Sequence, residues 1–212
     1  MPKRSITLVR HGHREDFAGN EWSPAWSEKA INPHDPDISE RGIREAIALG
    51  KRLAIRPGVT ILASPFLRTV HTASHVANAL GSRVLIENGL HEMMHPDGFP
   101  HFPVLQSAQQ LNNRFGNVNT EYSSVTVKSF PERTMGDVAS RASDVLQTIL
   151  AYHSGDLVLV THADPLLGFL IAAGIDACRQ PVHTCSVYQI DGCPGDWSLT
   201  INGDASHLDG TS

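Results

Sequence analysis

Ile6-Thr7-Leu8-Val9, followed at once by Arg10-His11-Gly12, is the stretch of sequence that decides the fold. A short run of apolar and β-branched residues that ends in polar ones is typical of a buried strand. Five further candidate strands follow a similar pattern, at residues 59–63, 84–87, 157–161, 186–190 and 198–201. Segments of helical period lie between most of them, which predicts an α/β fold: a three-layer αβα sandwich with a mostly parallel sheet.

The helices between the strands are predicted from apolar residues that recur every three to four positions. Ser39 is a candidate N-cap of the first helix. The apolar face of that helix is predicted to consist of Ile43, Ala46, Ile47, Gly50 and Leu53. Ser64-Pro65 predicts the start of a second helix, with the serine as N-cap. Asp164-Pro165 predicts a further helix directly after the strand at 157–161.

The domain organisation follows from length and from the irregular segments. A chain of 212 residues suits one domain, which we predict over residues 1–202. Long connections within a domain are usually functional, so the irregular segment at about 88–133 is interpreted as a cap insertion. The small and polar segment 203–212 is expected to be a loose C-terminal tail.

Composition excludes several functional classes. With a formal net charge of −5 and a pI near 6.1, the chain is not expected to bind nucleic acid or an anionic membrane. No segment approaches the roughly 20 apolar residues of a membrane span. The apolar run at 6–9 is too short for a secretory signal, so a cytoplasmic location is expected. Cys178, Cys185 and Cys193 lack the spacing of a zinc site or of a disulfide framework, and reduced thiols are expected.

Four polar clusters directly follow four of the candidate strands. They are Arg10-His11-Gly12, the segment from Ser64 to Arg68, the segment from Gly89 to Glu92, and His162-Ala163-Asp164. In open α/β sheets, ligands bind outside the carboxyl ends of the strands. We therefore expect the four clusters to meet at one edge of the sheet.

These residue types in this arrangement indicate phosphate chemistry. Arg10 and Arg68 each offer a planar fork of donors that suits phosphate oxygens. Neighbouring arginines would keep His11 neutral, and a neutral imidazole is a competent nucleophile. We expect His162 to be a second, cationic histidine that stabilises the transferred group. Glu92 would donate a proton to the leaving oxygen and later take one from water.

The chain resembles the histidine phosphatase superfamily, in the branch that includes the phosphoglycerate mutases. Five segments carry the likeness in the family's order: Leu8-Val9-Arg10-His11-Gly12, Asp37-Ile38-Ser39-Glu40-Arg41-Gly42, Ser64-Pro65-Phe66-Leu67-Arg68-Thr69, Gly89-Leu90-His91-Glu92 and Thr161-His162-Ala163. The resemblance implies a phosphoglycerate-mutase-like fold. It also implies that His11 is phosphorylated, that Arg10, Arg68 and His162 bind the phosphate, and that Glu92 is the proton donor. No cofactor and no metal are implied.

The residues after Arg-His-Gly bear on the subgroup. Mutases usually continue with Glu-Ser and then an Asn, whereas His13, Arg14 and Phe17 stand at those places here. Arg14 and Asp16 look more like the phosphatase domains of the T-cell ubiquitin ligand proteins and the ecdysteroid-phosphate phosphatases. By that likeness Arg14 is a further phosphate contact. The alternative is that Arg14 pairs with Glu15 or Asp16.

The sequence therefore predicts a metal-independent phosphomonoester hydrolase that works through phospho-His11. The substrate is expected to be a phosphorylated small molecule or of phosphotyrosine type, and a homodimer is left open. A phosphoglycerate-mutase-type transfer and a non-catalytic phosphate-binding module are the alternatives. A metal hydrolase barrel is a further one, because His11 and His13 form an HxH pair. The pairs His71/His75 and His91/His95 would ligate zinc only if they were helical.

Overall fold

The computed structural model describes residues 3–18, 21–54, 58–176 and 181–210, so Cys178 lies outside the described residues. Its strands are β1 (Arg4–Arg10), β2 (Phe17–Ala18), β3 (Glu21–Trp22), β4 (Thr60–Ala63), β5 (Val84–Ile86), β6 (Leu157–Thr161), β7 (Val187–Cys193) and β8 (Asp196–Asp204). Six of them form one sheet in the order β5-β4-β6-β1-β7-β8. The first four of that order are parallel, and β7 and β8 complete the sheet in antiparallel fashion. The small β2-β3 hairpin was not predicted from the sequence.

Helices cover both faces of this sheet. They are α1 (Pro24–Ser27), α2 (Glu40–Leu53), α3 (Leu67–Leu80), α4 (Ala108–Phe115), α5 (Met135–Tyr152) and α6 (Ala163–Ala172), with 3₁₀ turns at Asn88–Leu90 and Ser206–Leu208. Helices α2 and α3 share one core cluster with Val9 and Ile61, whereas α5 and α6 share another with Leu8 and Leu62. Successive strand residues thus point to opposite helical layers, as a sheet buried on both faces requires. The predicted three-layer αβα sandwich is confirmed.

Helix α2 begins as predicted but buries a slightly different face. Ser39 accepts a hydrogen bond from the backbone N–H of Gly42 at 3.2 Å, as an N-cap does. Leu49 is fully buried, whereas Ile47, predicted on the apolar face, is 41% exposed. The helix also buries Glu45, a carboxylate that the apolar pattern did not reveal.

Helix α3 begins two residues later than predicted. Its first residue is Leu67 and Phe66 is its N-cap, so Ser64 does not cap it. The carboxylate of Asp35 accepts the backbone N–H of Leu67 at 2.8 Å and supplies a cap from a distant loop. Ser64 contacts His162 instead.

The segment that was expected to be a loose tail is ordered from residue 203 to residue 210. Strand β8 continues to Asp204, whose carboxylate lies 3.4 Å from Nη2 of Arg52 on α2. Leu208 packs against the core cluster of α2, and Nε2 of His207 lies 3.0 Å from the carbonyl oxygen of Cys185. The polar composition hid the single apolar contact that anchors this segment. Residues 211–212 lie outside the described residues.

Within the described residues, no helix has both the length and the apolarity needed to cross a membrane.

Candidate active site

The four predicted clusters meet at the carboxyl edge of the parallel strands. The register places Arg10 opposite Thr161, and Ala63 opposite both Val160 and Ile86, so these strands end at nearly the same level. A cavity of about 590 Å³ opens at this edge. Its inner wall contains Arg10, His11, Arg14, Arg68 and Glu92.

His11 lies at the bottom of the cavity, with 1% of its surface exposed. Its backbone N–H is bonded to the carbonyl oxygen of Thr161 at 3.0 Å, and its Nδ1 lies 2.8 Å from the carbonyl oxygen of Gly12. A carbonyl oxygen can only accept, so Nδ1 carries the proton and Nε2 keeps its lone pair. Burial, and then the positive charges of Arg68 and the neighbouring groups, lower the pKa of His11 well below its usual value. The ring is therefore neutral and has one free nucleophilic nitrogen.

Gly12 allows the loop after β1 to lie against the start of α2. A Cβ atom at Gly12 would lie 2.7 Å from the carbonyl oxygen of Gly42, closer than side chains and backbone normally approach. The backbone N–H of Gly12 is bonded to Oγ1 of Thr72 on α3 at 3.0 Å. These two contacts fix the backbone that carries His11.

The two predicted arginine ligands have unsatisfied donors. Arg68 is 2% exposed and stacks over the ring of Phe66 at 4.6 Å, and its Nη2 lies 3.3 Å from Oε2 of Glu92. Its Nε and Nη1 atoms are buried without a hydrogen-bond partner among the described residues, as is Nε of Arg10. Burial lowers the pKa of Arg68 to about 10, so the guanidinium stays charged at neutral pH. Buried cationic donors of this kind form a site for an anion.

His162 connects the ends of two strands. Its Nε2 lies 2.8 Å from Oγ of Ser64, and its Nδ1 lies 3.3 Å from Oε2 of Glu92. Burial lowers the pKa of His162 to about 4. The ring is thus neutral at pH 7 before an anion binds, which differs from the expected cation. A bound phosphate dianion would raise this pKa by direct charge attraction.

Glu92 faces the cavity with 20% of its side chain exposed. Its Oε1 accepts the backbone N–H of Met93 at 3.0 Å. Burial alone would raise its pKa, but the interaction with the N–H of His162 and the positive charge of Arg68 lower the pKa well below the usual value. The carboxyl group is therefore ionised in the free protein and must gain a proton before it can act as an acid.

Arg14 pairs with Asp16, one of the two partners named in the alternative to a phosphate contact. Its Nε and Nη2 atoms bind the two carboxylate oxygens of Asp16, the first at 2.8 Å, and its guanidinium lies 5.0 Å from the ring of Phe17. It also lines the same cavity as Arg10 and Arg68. Its partner is thus Asp16, and Glu15 instead accepts the backbone N–H of Asp37 at 2.9 Å.

The rest of the cavity lining mixes aromatic and apolar side chains with the polar ones of Asp16, Ser27 and Asp164. Trp22, Pro33, Met93 and Phe99 contribute to it, together with two histidines, His34 and His95. Three of these residues, Met93, His95 and Phe99, come from the 88–133 segment. Trp22 is 54% exposed, so part of its ring is open to solvent at this wall.

A family model, described as histidine phosphatase superfamily (branch 1), matches residues 6–204 of the 212. The chain belongs to this superfamily. The resemblance drawn from the five motifs is thereby confirmed.

The relatives of this histidine phosphatase chain include two kinds of enzyme. Phosphoserine phosphatase 1 of Hydrogenobacter thermophilus is 34% identical over 90 residues, which are 42% of this chain and 39% of that protein. A probable phosphoglycerate mutase, GpmB, of Erwinia tasmaniensis is 25% identical over 98% of this chain and 96% of its own length. The structure of the ecdysone phosphate phosphatase of Bombyx mori, in complex with tungstate, superposes with a TM-score of 0.69 at 19% identity. That superposition covers 93% of this chain and 92% of the other and shows a shared fold.

The alternative of a metal hydrolase barrel is wrong, because neither the fold nor the positions of His11 and His13 agree with it. The sheet is open at β5 and β8 and does not close into a barrel. Nδ1 of His13 lies 2.8 Å from Oγ of Ser39, and its backbone N–H is bonded to Glu45 at 2.9 Å. Among the described residues, the group whose geometry suits a metal is His11, Glu92 and His162, with ligand atoms within 4.8 Å of one another. His13 is not part of it.

The other two histidine pairs are not zinc sites in the described part of the chain. His71 and His75 lie on α3 with their rings stacked at 5.1 Å, and Nδ1 of His71 lies 2.8 Å from Asp37. His91 and His95 lie on irregular backbone, and Nε2 of His91 accepts the backbone N–H of Ser129 at 2.9 Å.

Two buried carboxylates in the site were missed by sequence reasoning. Glu45 binds the N–H of His13 and Nε of Arg41, the latter at 2.8 Å. Asp35 caps α3 and lies 4.0 Å from Nη1 of Arg68, and burial raises its pKa to about 6. Glu45 follows Arg41 by four positions on α2, a spacing that is also typical of solvent-exposed ion pairs and so gives no sign of burial. Asp35 lies between two prolines in an irregular stretch, where no periodic signal exists.

Proposed function

We propose that the protein hydrolyses phosphomonoesters through a phosphohistidine formed on His11, without a metal ion. The neutral His11 ring carries the proposal: its Nε2 has a free lone pair, and it lies in a cavity that also presents the unsatisfied donors of Arg10 and Arg68. Those donors would bind the phosphate oxygens and stabilise the charge that spreads over them during transfer.

The reaction has two steps that balance in atoms and charge. In the first, Nε2 of His11 attacks phosphorus, a P–N bond forms, and the P–O bond to the leaving group breaks as Glu92 gives that oxygen its proton. In the second, water attacks phosphorus, the P–N bond breaks, and Glu92 takes a proton from the water. Inorganic phosphate then takes from Glu92 the proton that the substrate brought and leaves as the monoanion, so His11 and Glu92 return to their starting states.

The proton that Glu92 needs has to arrive with the substrate. The carboxyl is ionised in the free protein because its pKa is lowered. A phosphomonoester has a second pKa of about 6, so a useful fraction binds as the monoanion near neutral pH. That monoanion can transfer its proton to Glu92, and the resulting dianion is the form that the arginines and His162 stabilise best.

The outer cavity favours a leaving group with an apolar or aromatic body. The arginines of the cavity lie on its inner wall. The described lining contains no lysine that would bind a substrate carboxylate in addition to the phosphate. Trp22, Phe99 and Met93 would instead contact a ring or an alkyl chain. We therefore expect aryl and other apolar phosphomonoesters, phosphotyrosine included, to be better substrates than phosphoserine or 3-phosphoglycerate.

A phosphoglycerate-mutase-type transfer is the second candidate, because a probable mutase aligns with nearly the whole chain. A mutase would pass the phosphoryl group from His11 to a second acceptor instead of water. It would release little inorganic phosphate and would need a carboxylate-bearing substrate to bind well.

The test is phosphate release from an aryl phosphate, a phosphotyrosine peptide and 3-phosphoglycerate in the presence of a chelator. We expect His11→Ala to lose at least about 10³-fold in kcat/KM. The matched control His153→Ala should keep most of the activity, because His153 lies before the start of β6, at the end of the sheet opposite the site, where its Nε2 is 3.2 Å from the hydroxyl of Tyr122. Full activity in His11→Ala would end the proposal. Phosphoryl exchange between phosphoglycerates without phosphate release would instead support the mutase.

A further inference from the structure

Glu92 lies on backbone that no strand or helix holds. The 3₁₀ turn Asn88–Leu90 ends two residues before it, and residues 91–95 are irregular. A proton donor must nevertheless be fixed to a fraction of an ångström, because a misplacement of about 1 Å can cost on the order of 10²-fold in rate. Something outside the segment must therefore hold it.

A buried ion pair contacts the backbone on both sides of Glu92. Nε and Nη2 of Arg141 bind the two carboxylate oxygens of Glu132 at 2.6 and 3.0 Å. The remaining nitrogen, Nη1, donates to the carbonyl oxygen of Gly89 at 2.5 Å. On the other side, the N–H of Glu132 donates to the carbonyl oxygen of Met94 at 3.0 Å, and the N–H of Met94 donates to Oε2 of Glu132 at 3.3 Å.

His91, the residue before Glu92, is also held by hydrogen bonds to the neighbouring backbone. Nδ1 of His91 lies 2.6 Å from the carbonyl oxygen of Glu92, while its Nε2 accepts the N–H of Ser129. Both contacts need a neutral ring with the proton on Nδ1. Burial lowers the pKa of His91 to about 3, which keeps the ring in that state. The N–H of Gly89 donates to Oγ1 of Thr126 at 2.8 Å, from the same loop as Ser129.

Stability is a weak reason for this ion pair to be buried. The side chains of Glu132 and Arg141 are 0% and 5% exposed, and two charges removed from water cost about as much as their attraction returns. Apolar residues of similar size would serve the core at least as well. Apolar residues, however, could neither donate a hydrogen bond to the carbonyl oxygen of Gly89 nor accept one from the N–H of Met94.

From these contacts we infer that Glu132 and Arg141 are positioning residues for Glu92: they clamp the segment that carries the proton donor of the proposed reaction. The inference rests on the proposed function, since it assigns the clamp to the acid step. Both residues act through Glu92 and do not touch the substrate.

The test compares two substrates of similar shape whose leaving groups differ, 4-nitrophenyl phosphate and benzyl phosphate. The first leaves readily as an anion, whereas the second needs a proton. Glu92→Gln should lower kcat/KM, which reports phosphoryl transfer to His11 and not the later hydrolysis, by roughly 10²-fold or more for benzyl phosphate and by less than about 10-fold for 4-nitrophenyl phosphate. Glu132→Gln and Arg141→Lys should show the same selectivity, with at least about a 10-fold loss on benzyl phosphate.

A double variant separates positioning from plain stability. Adding Glu132→Gln to Glu92→Gln should cause no further loss on benzyl phosphate, because the clamp then holds a group that cannot donate. Ile149→Val, which alters a fully buried residue of the same helix, is the control for lost stability and should slow both substrates alike if it slows either.

The possible failures are distinguishable. Equal losses on both substrates in the clamp variants, or losses that add to those of Glu92→Gln, would overturn the clamp while Glu92 keeps its role. If Glu92→Gln itself shows no selectivity, the acid step of the proposed function falls, and the clamp inference falls with it. Arg141→Lys keeps the charge, so it provides the result should Glu132→Gln fold poorly.

Discussion

Oγ of Ser64 lies 2.8 Å from Nε2 of His162, across the ends of the neighbouring parallel strands β4 and β6. On the far side of the same ring, Nδ1 faces the carboxylate of Glu92 at 3.3 Å. A carboxylate can only accept, so Nδ1 carries the proton and the hydroxyl of Ser64 donates to Nε2. Glu92 thus sets the tautomer of His162, and the Ser64 hydroxyl stabilises it by donating to the unprotonated Nε2.

Ser64→Ala should therefore raise the pKa of His162 above its value of about 4, because the neutral ring loses the donor that stabilises it. Without this contact the ring is also less well oriented, and kcat/KM should fall roughly 10-fold, as expected for one hydrogen bond of about 1.4 kcal/mol. Histidine titration by NMR and steady-state kinetics provide the two readouts. Ser39→Ala, which removes the N-cap of α2, is the matched control and should leave the pKa of His162 in place. An unchanged pKa in Ser64→Ala would refute the assignment.

The arginines should differ in their contribution to phosphate binding. Arg68 has two buried donors without a partner, whereas two of the three nitrogens of Arg14 are already bonded to Asp16. A charge-assisted hydrogen bond contributes about 1.5 to 3 kcal/mol, so Arg68→Gln should cost on the order of 10²-fold or more in kcat/KM. Arg14→Gln should cost less than about 10-fold. Inhibition by inorganic phosphate reports binding separately from turnover, and it should weaken more in Arg68→Gln. Equal effects of the two substitutions would contradict the distinction.

The strands and the ordered clusters were predictable because both depend on local pattern. A buried strand of a parallel sheet is apolar along its length, and its end is marked by polar residues, so 157–161 was predicted with the bounds that the structure has. The convergence of Arg10, Arg68, Glu92 and His162 followed from the rule that parallel strands end at one edge. No pairwise contact had to be known for either prediction.

What the sequence could not supply are contacts between distant segments. The start of α3 depends on Asp35, which is 32 positions away in the chain, so Ser64-Pro65 was misread as a local cap. The hold on Glu92 depends on Glu132 and Arg141, whose partner atoms belong to Gly89 and Met94. Every residue has the same backbone carbonyl and amide groups, so the sequence does not indicate which of them bind a charged side chain. Only the folded structure shows these contacts.

The group formed by His11, Glu92 and His162 predicts inhibition by zinc. Its ligand atoms lie within 4.8 Å of one another, and two histidines with a carboxylate suit Zn²⁺. Zinc on this group would occupy the nucleophile and the proton donor of the proposed reaction. Added zinc should therefore inhibit, a chelator should restore activity, and a chelator alone should change nothing. Activity that is lost on chelation and restored by metal would show instead that the group is a catalytic metal site.

Buried neutral histidines should make the fold sensitive to acid. The pKa of His91 is lowered to about 3 and that of His162 to about 4, both by burial. In the unfolded chain these histidines have the ordinary pKa of about 6.5, so below that pH the unfolded chain binds protons that the folded protein does not. The two rings therefore contribute their full stabilisation above pH 6.5, and the free energy of unfolding decreases as the pH falls. Asp35 offsets the effect of one histidine. Burial raises its pKa to about 6, so below that pH the folded protein binds a proton on Asp35 that the unfolded chain does not bind.

These three groups alone contribute a net difference of one proton, and His11, whose pKa burial also lowers, adds to it, so the free energy of unfolding should fall by at least about 1.4 kcal/mol per pH unit between pH 6 and pH 4. Urea unfolding at pH 7, 6, 5 and 4.5 measures this slope. Asp35→Asn removes the carboxyl group that offsets one histidine, and Asn does not titrate. The slope should therefore become steeper by about 1.4 kcal/mol per pH unit, the equivalent of one proton. His91→Asn removes one of the two titrating rings and should flatten it by the same amount. A free energy of unfolding that stays level or rises from pH 6 to pH 4.5 in the unmodified protein would show that these rings are already protonated in the fold.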